Sequence, residues 1–431
     1  MKHTVSELIL KNGAKGLLVH IPDASVMSIE LNFRAGEYLV DEKKWETAHL
    51  MEHILLGANK RFPKARLFQA EIEKNGAYSN ASTGVYDITY EAECADFEWD
   101  RILDLLMIAI TKPLFLKEEF EAEFGNVKEE LATRSNNHFR HLSLALRQDY
   151  GFKAKTDQER LKLMDNVKLD DVRAHYKRTH TSRNMRFIIG GNITPKRHDA
   201  IVEYLERIAL PLGTARLSLP NERPVTPKQP LFIHNKSVKN VYFYVDSFMN
   251  RRMAQDETDS LSLVNTMLTE TLYSKILGTA RERGLVYGMN SGFGQSKLAS
   301  NWWFGAQVSR KNAPKLFEIM IDELEKVFAG KIDAEDIEAA KAYSLGRFQR
   351  SAQTVSGTAG GYSGDYFFDE TIEDYYQVPK RIRAITKTSI VDISRALFAD
   401  HIWGVGILSN CERELVDELY KQVSVLWDMK R

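Results

Sequence analysis

The order of strands and helices suggested by this sequence occurs twice, and this repetition constrains the fold more than any other feature. Residues 166–172 precede a predicted helix, a strand at residues 187–191 and a last helix. Residues 385–391 precede the same elements near the end of the chain, with the strand at residues 404–408. The two segments lie about 219 residues apart, which predicts a duplication. Because one hydrophobic core rarely serves 431 residues, we expect two domains of similar architecture.

A proline-rich segment separates the two halves. Five prolines occur within residues 210–230, and the strand and helix patterns begin again beyond them. Proline stiffens a connection and interrupts regular structure, so this segment is predicted to be a linker. We therefore expect domains at residues 1–215 and 231–431, joined by a linker at residues 216–230.

Periodic hydrophobicity predicts the elements of each half. Residues 26–33 alternate apolar and polar side chains, as a strand buried on one face does, and residues 78–92 predict a second such strand. Residues 117–131 carry an apolar stripe at helical spacing, which predicts a long helix. In the second half the pattern predicts a helix at residues 259–277. These patterns favour an α+β fold in which helices pack on an antiparallel sheet in each half.

The composition excludes several classes of protein. The chain has 59 Lys and Arg residues and 59 Asp and Glu residues, so its formal net charge is zero and nothing indicates nucleic-acid binding. Its two cysteines exclude a disulfide scaffold. The N-terminus lacks the apolar core of a signal peptide, and no apolar stretch is long enough to span a bilayer. We expect a cytoplasmic protein without a membrane partner.

Two histidines form the most informative motif. Histidine accounts for only 11 of the 431 residues, yet His49 and His53 lie four residues apart with Glu52 between them. On a helix these side chains fall within an arc of roughly 100°. Two imidazoles can hold Zn²⁺ while leaving a position for water, and the carboxylate can take the proton of that water. Two solvated histidines on a surface helix are the alternative, but the His-x-x-Glu-His order favours a metallopeptidase site.

A catalytic zinc site usually takes a third protein ligand, and glutamates are concentrated in the helix predicted from about residue 117. Rotation about that helix places Glu123 and Glu130 at the edge of its apolar stripe, whereas Glu129 faces solvent. A carboxylate beside the buried stripe can reach a metal held against the core. Either Glu123 or Glu130 is therefore the better candidate for the third ligand.

These motifs together resemble the pitrilysin/insulinase family of metallopeptidases, peptidase family M16. The inverted zinc motif at residues 49–53 is followed by Glu130, 77 residues after His53. Residues 33–37 are similar to the family's strand before the motif, and residues 76–81 are similar to its Gly-Gly-x-x-Asn-Ala segment. The resemblance covers nearly the whole chain and indicates a short, two-domain M16B-type member. It implies duplicated domains with a LuxS/MPP-like α/β roll.

The resemblance also implies an activity and the residues that perform it. His49, His53 and Glu130 would bind Zn²⁺. Glu52 would act as general base on the zinc-bound water, and Glu123 would assist catalysis from outside the ligand set. The implied enzyme is a zinc-dependent endopeptidase that hydrolyses unstructured peptides or processes a precursor peptide.

Further positions are implied to contact the substrate. An extended peptide would add to the edge strand at residues 78–90, with Asn80 and Ala81 at the contact. Asn80 close to a glycine is otherwise typical of a turn. The second half would be a catalytically silent copy that offers an arginine and a tyrosine to the peptide. Tyr287 matches that tyrosine, while Arg281 lies one residue from the family's arginine position and is either a substitute or unrelated.

Glu46 departs from the family, which commonly has glycine at the start of the motif helix. An acidic residue in the first helical turn is electrostatically favourable, so we interpret the change as tolerated.

Members of this length usually pair, which implies a homodimer or a heterodimer with a related M16 chain. The main alternative is a catalytically silent structural or assembly subunit, or the metal-bearing subunit of a heterodimeric peptidase. Retention of all five positions of the implied catalytic centre disfavours a purely structural subunit, because a scaffold has no need for that set.

Overall fold

The computed structural model describes residues 1–428, and the described chain forms two compact units. The first unit comprises residues 1–132, 158–220 and 349–373. The second comprises residues 133–157, 221–348 and the described chain from residue 374 onward. Each unit therefore takes in a segment from the other half of the sequence. The predicted domains, residues 1–215 and 231–431, follow the repeat in the sequence, whereas the two units are made of interleaved segments. The predicted boundaries therefore stay a prediction.

The first unit is built on a six-stranded sheet. Its strands are β1 (Thr4–Ile9), β2 (Lys15–His20), β3 (Val26–Phe33), β4 (Tyr78–Thr83), β5 (Ile88–Ala95) and β6 (Met185–Gly191). Their order is β1-β2-β6-β3-β5-β4, so β1 and β4 are the edges. β2 and β6 run parallel, and the other neighbouring strands are antiparallel.

The single strand predicted at residues 78–92 is wrong in one respect, because the structure has two strands joined by a turn. Gly84 N donates to Asp87 O at 2.8 Å and closes the hairpin between β4 and β5. Tyr86 within the turn is buried, so the alternating pattern continues through the turn and conceals it. β4 alone therefore forms this edge of the sheet.

The second unit is built on a five-stranded sheet. Its strands are β7 (Leu231–His234), β8 (Val241–Met249), β9 (Met289–Gln295), β10 (Ser300–Val308) and β11 (Ile402–Ser409). Their order is β7-β11-β8-β10-β9, with β7 and β11 parallel. β8 lies between β11 and β10 as β3 lies between β6 and β5 in the first sheet. The duplicated α+β fold is confirmed, and the structure adds one parallel pair to each predicted antiparallel sheet.

Helices cover both sheets. Those of the first half are α1 (Thr47–Leu55), α2 (Ala65–Glu73), α3 (Trp99–Thr111), α4 (Lys117–Arg134), α5 (His138–Asp149), α6 (Asp157–Leu163), α7 (Leu169–Thr179) and α8 (Pro195–Glu206). Those of the second half are α9 (Gln255–Asn265), α10 (Leu277–Glu282), α11 (Ala313–Phe328), α12 (Ala334–Ser351), α13 (Val355–Gly360), α14 (Ser363–Asp369), α15 (Val378–Ala384), α16 (Lys387–Ala399) and α17 (Arg413–Asp428). Within residues 1–428 the helices are too short or too polar to cross a membrane.

The helix predicted at residues 259–277 is interrupted. α9 continues into a π-helix, Thr266–Glu270, and the chain then leaves helical geometry before α10 begins. Leu268 and Leu272 continue the apolar period of the sequence across this break. In the structure Leu268 is buried, but Leu272 is exposed. Periodicity alone therefore predicted one helix where the structure has three segments.

Two helices pack on the sheet of the opposite half of the sequence. α13 lies against β6 in the first unit, where a Cβ added at Gly190 would come within 2.7 Å of Ala359 Cβ. α5 lies against β11 in the second unit, where a Cβ added at Gly406 would come within 2.9 Å of the Leu142 side chain. Each of these helices follows the long helix of its own half, α12 or α4. The two glycines therefore let the exchanged helices approach the strands.

Asp246 is a buried carboxyl group in the middle of the second sheet. It is 1% exposed, and its Oδ1 accepts a hydrogen bond from Asn301 Nδ2 at 2.9 Å. Burial raises the pKa of the Asp246 carboxyl to about 7, whereas an Asp in an unfolded chain has a pKa of about 3.9. Between these values the folded protein binds more protons than the unfolded chain, so this group makes the free energy of unfolding fall as pH rises.

We predict that Asp246→Asn gains stability relative to the wild type between pH 5 and pH 8, since an amide pays no cost of ionisation in the buried site. The measurement is the urea midpoint of both proteins at several pH values. Asp322→Asn, on the exposed side of α11, is the control and should follow the wild type at every pH. A constant difference between the Asp246→Asn and wild-type midpoints over this pH range would contradict the prediction.

Candidate metal centre

His49 and His53 project from one face of α1 toward Glu130 of α4. Nε2 of His49 lies 3.3 Å from Oε2 of Glu130, and Nε2 of His53 lies 3.7 Å from the same oxygen. Ligand atoms of the three residues all lie within 4.8 Å of one another. α4 holds Glu130 at the margin of the core because Val127 and Leu131 are wholly buried on the adjacent face. The structure therefore brings the three predicted ligands together.

The other ring nitrogen of each histidine donates to a carboxylate. Nδ1 of His49 lies 3.0 Å from Oε2 of Glu46, and Nδ1 of His53 lies 2.8 Å from Oε2 of Glu123. A carboxylate at Nδ1 holds a proton at that nitrogen, so Nε2 is the ring atom that would bind a metal. The donor set of two imidazoles and one carboxylate fits Zn²⁺. Glu123 therefore positions a histidine, while Glu130 meets both Nε2 atoms.

Glu46 is a residue of this site that sequence reasoning missed. It is wholly buried, and Arg160 donates to its two carboxylate oxygens, from Nε at 2.6 Å and from Nη2 at 3.0 Å. Burial opposes ionisation, but the hydrogen bond from His49 and the charge of Arg160 outweigh it and lower the pKa of Glu46 to about 2. The side chain makes no cap bond to the helix, so its interpretation as a tolerated first-turn acid is incomplete.

One sequence signal for this role was available. Glu46 precedes His49 by three residues, a spacing that places both side chains on one face of a helix. Its second partner gave no such signal, because Arg160 is separated from Glu46 by 114 residues.

The centre has an excess of negative charge. Four carboxylates, those of Glu46, Glu52, Glu123 and Glu130, lie on or beside the motif helix or bond to its histidines. Burial disfavours a charged imidazole at His49, but hydrogen bonds to Glu130 and Glu46 outweigh it and raise the pKa of His49 to about 9. The hydrogen bond from His53 lowers the pKa of Glu123. A divalent cation is the ligand that this arrangement of donors and charge accommodates.

Glu52 is tied to the edge strand. Thr83, the last residue of β4, donates from Oγ1 to Glu52 Oε2 at 2.6 Å. This bond orients the half-buried carboxylate and joins the motif helix to the strand predicted to receive the peptide. Thr83 carried no signal in the sequence.

Asn80 and Ala81 lie on β4, at the edge of the first sheet. Gly84 and Asp87 form a hydrogen-bonded pair at the end of the hairpin, and in an antiparallel ladder such pairs alternate with pairs that exchange no hydrogen bonds. Counting from that pair, Asn80 bonds to β5, whereas the backbone N–H and C=O of Ala81 face the open edge.

Arg281 and Tyr287 belong to the second unit, where they contact each other. Arg281 Nη1 donates to the backbone oxygen of Tyr287 at 2.6 Å, and its guanidinium lies 4.7 Å from the centre of the tyrosine ring. Tyr287 is 87% exposed. Ala280, at the family's arginine position, is wholly buried, whereas Arg281 and Arg283 are both exposed.

Comparison with known families supports the interpretation of this centre. The family model described as Insulinase (Peptidase family M16) matches residues 16–160, and the model described as Peptidase M16 inactive domain matches residues 166–343. The chain belongs to peptidase family M16. The candidate metal centre of this M16 chain lies within the first match, and Arg281 and Tyr287 lie within the second.

Curated M16 relatives match over short stretches. Protease 3 of Escherichia coli (strain K12) is 31% identical over 122 residues, which is 28% of this chain and 13% of that protein. A protein named uncharacterized zinc protease of Rickettsia felis is 26% identical over 138 residues, which is 32% of this chain and 33% of that protein. The alignments thus span 13% and 33% of the two relatives' lengths.

Solved structures share the fold over nearly the whole chain. A protease from Helicobacter pylori superposes with a TM-score of 0.83 and 18% identity, over 95% of this chain and 100% of that one. A peptidase M16 inactive domain from Pseudomonas fluorescens gives 0.82 at 16% identity, over 95% of this chain and 98% of that one. The periplasmic protease PqqL from Escherichia coli gives 0.75 at 15% identity, over 100% of this chain and 51% of that one. This similarity establishes the duplicated M16 fold.

We predict that Glu130→Gln loses stoichiometric zinc and that Glu46→Gln binds zinc roughly 10- to 100-fold more weakly, because an amide cannot hold the His49 ring as firmly as a carboxylate. Zinc affinity is measured by competition with a chelating dye at fixed pH. Glu129→Gln is the matched control, since Glu129 precedes Glu130 but is exposed. Equal zinc affinity in all four proteins, wild type included, would exclude this centre as the zinc site.

Proposed function

We propose that this chain is a zinc-dependent endopeptidase that hydrolyses unstructured peptides. The observation that supports this most strongly is the convergence of His49 Nε2, His53 Nε2 and Glu130 Oε2, with both Nδ1 atoms bonded to carboxylates. These three residues would hold Zn²⁺. When bound, Zn²⁺ supplies Lewis-acid chemistry, since it makes water more acidic and polarises a carbonyl group.

Glu52 would move the proton. It lies between the two histidines in the sequence and shares their face of α1. There its carboxylate would accept a proton from the attacking water and pass it to the leaving amine. The hydrogen bond from Thr83 holds Oε2 of Glu52, so Oε1 would be the oxygen that accepts the proton. Glu46 and Glu123 hold the imidazoles and keep their protons at Nδ1.

The edge strand β4 would position the peptide. The outward N–H and C=O of Ala81 can pair with an extended backbone, and Thr83 two residues further on bonds to Glu52. A peptide that adds to this edge therefore runs past the general base. Backbone pairing of this kind requires an unfolded segment and makes few demands on its sequence, which favours unstructured peptides as the substrate class.

The second half would act on the substrate without chemistry of its own. It matches a family model described as an inactive domain, and its Tyr287 is almost wholly exposed with Arg281 stacked on the ring. We propose that these two side chains contact peptide in a homodimer or in a heterodimer with a related M16 chain. Zinc binding without cleavage by this chain alone, restored by a second M16 chain, would identify the heterodimer.

We predict that Glu52→Gln lowers kcat/KM on a mixture of unstructured peptides by roughly 10²- to 10⁴-fold and leaves zinc content unchanged, because the amide cannot accept a proton. Cleavage is followed by mass spectrometry of the peptide mixture and zinc by metal analysis. Glu129→Gln serves again as the control and should cleave normally. Full activity of Glu52→Gln would refute its role as general base, and absence of zinc from the wild type at neutral pH would refute the proposed enzyme.

We predict that Ala81→Pro lowers kcat/KM by about threefold to tenfold, because proline removes one N–H from the open edge of β4 while the bonds to β5 remain. The control Ala81→Ser changes the side chain but keeps the N–H. Thermal unfolding of both variants checks that the hairpin is intact. If both substitutions reduce cleavage equally, the side chain rather than the backbone edge is responsible.

A further inference from the structure

The second unit contains a cavity of 390 Å³ between α12 and the segment that begins with the π-helix Thr266–Glu270. α12 and α4 each have 18 residues and occupy the same place in the repeated order of elements. Residues at equal positions along the two helices therefore correspond. α12 corresponds to α4, which supplies Glu130 in the first unit, so the cavity lies beside the counterpart of the candidate metal centre in the copy that lacks the histidines.

The correspondence shows what replaced the metal-centre residues. The fourteenth residue is Glu130 in α4 and Arg347 in α12, and the seventh is Glu123 in α4 and Ala340 in α12. Arg347 forms an ion pair with Glu270. The counterpart of Glu130 is thus a paired cation. The counterpart of Glu123 is an alanine, whose methyl group occupies far less space than a carboxylate side chain.

The remaining acidic groups near the cavity are also paired. Glu270 accepts hydrogen bonds from Asn265 Nδ2 at 3.1 Å and from Thr266 Oγ1 at 3.2 Å, in addition to its pairing with Arg347. Asp336 lies 2.8 Å from Lys275 Nζ. Asp336 and Lys275 are the charged residues that line the cavity, and because they pair with each other the walls carry no net charge. This contrasts with the first unit, where carboxylates outnumber cations at the corresponding place.

Apolar side chains form most of the cavity wall, and three of them are exposed. Leu272 is 63% exposed, Tyr273 is 68% exposed and Tyr343 is 37% exposed. Large apolar side chains gathered at one concave site with a polar margin are typical of a binding surface. The π-helix in the wall is a second such indication, because π-helical turns occur frequently at functional sites.

We propose that this cavity binds an uncharged aromatic or branched aliphatic side chain of an unstructured peptide, without cleaving it. Because the ionic groups of the walls are already paired, a charged group entering the cavity would lose its water and find no partner. An apolar side chain would instead cover exposed apolar surface and gain the free energy of burial. The cavity volume lies near the lower end of ligand pockets, which suits one or two side chains. That the ligand is a peptide rests on the proposed peptidase function.

The test compares two substitutions on α12. Ala339→Trp fills the cavity from its exposed rim, whereas Ala342→Trp adds the same side chain at an exposed position outside the cavity. Both are made in the full chain carrying Glu52→Gln, so that the probe is not cleaved. The probe is a fluorescein-labelled peptide of glycine and serine with one central phenylalanine, and its Kd is measured by fluorescence anisotropy.

Ala339→Trp should raise the Kd of this probe by about tenfold, while Ala342→Trp should leave it unchanged. A probe with serine in place of phenylalanine should bind weakly and respond to neither substitution. Leu272→Ser, which removes a wall instead of filling the cavity, should weaken binding of the phenylalanine probe as well. Circular dichroism of each variant confirms that the chain is folded.

Equal Kd values for Ala339→Trp and Ala342→Trp would overturn the proposal. The proposal would also be overturned if Ala339→Trp changed the sedimentation coefficient of the chain but not the Kd of the phenylalanine probe. The cavity would then be occupied by a second copy of the chain. The outcome is separable from that of the proposed enzyme. Binding that depends on Ala339 in a chain whose wild type cleaves nothing would support this site alone, and cleavage without such binding would support the enzyme alone.

Discussion

The geometry of the candidate metal centre depends on a buried ion pair between Arg160 and Glu46. Both side chains are almost wholly removed from solvent, and Arg160 Nη1 also lies 2.9 Å from Glu37 Oε1. Charges buried in this way are tolerated only when they are paired and hydrogen-bonded, so loss of one partner leaves the other in an unfavourable environment. The pair anchors the start of α1, and Glu46 Oε2 accepts hydrogen bonds from both Arg160 Nη2 and His49 Nδ1. Arg160, which is far from His49 in the sequence, therefore sets the direction in which His49 Nε2 points by holding Glu46.

The same scaffold supports different chemistry in its two copies. In the first, α4 places Glu130 and Glu123 against two histidines, and the excess of negative charge suits a divalent cation. In the second, Arg347 and Ala340 occupy the corresponding positions, and Arg347 forms an ion pair with Glu270. α4 and α12 are of equal length, whereas the helix opposite them is continuous in the first copy and passes into a π-helix in the second. This difference in charge balance is why we propose a divalent cation for the first copy and an apolar side chain for the second.

The exchange of α5 and α13 makes each unit depend on both halves of the sequence. Neither half alone contains all of the helices that cover its own sheet. The approach of each exchanged helix to its strand requires a glycine there, Gly190 in β6 and Gly406 in β11. The constraint is stricter at Gly190, where a Cβ would meet the Ala359 Cβ, than at Gly406, where the end of the Leu142 side chain could shift.

The sequence by itself determined the elements with strong periodicity, the duplication and the motif. β3 agrees with its prediction because a half-buried strand repeats every two residues, and α4 agrees because its apolar stripe repeats at helical spacing. His49, Glu52 and His53 were visible because helical geometry alone brings them together. The turn between β4 and β5 and the break after Glu270 were not visible, since apolar side chains continue the local period through both, buried Tyr86 in the turn and exposed Leu272 after the break. Only the tertiary structure decided that Glu130 meets the histidines while Glu123 bonds to Nδ1, and that Arg160 orients the site through Glu46. These contacts join residues 70 to 114 positions apart, and no local pattern of side chains encodes which of them will meet.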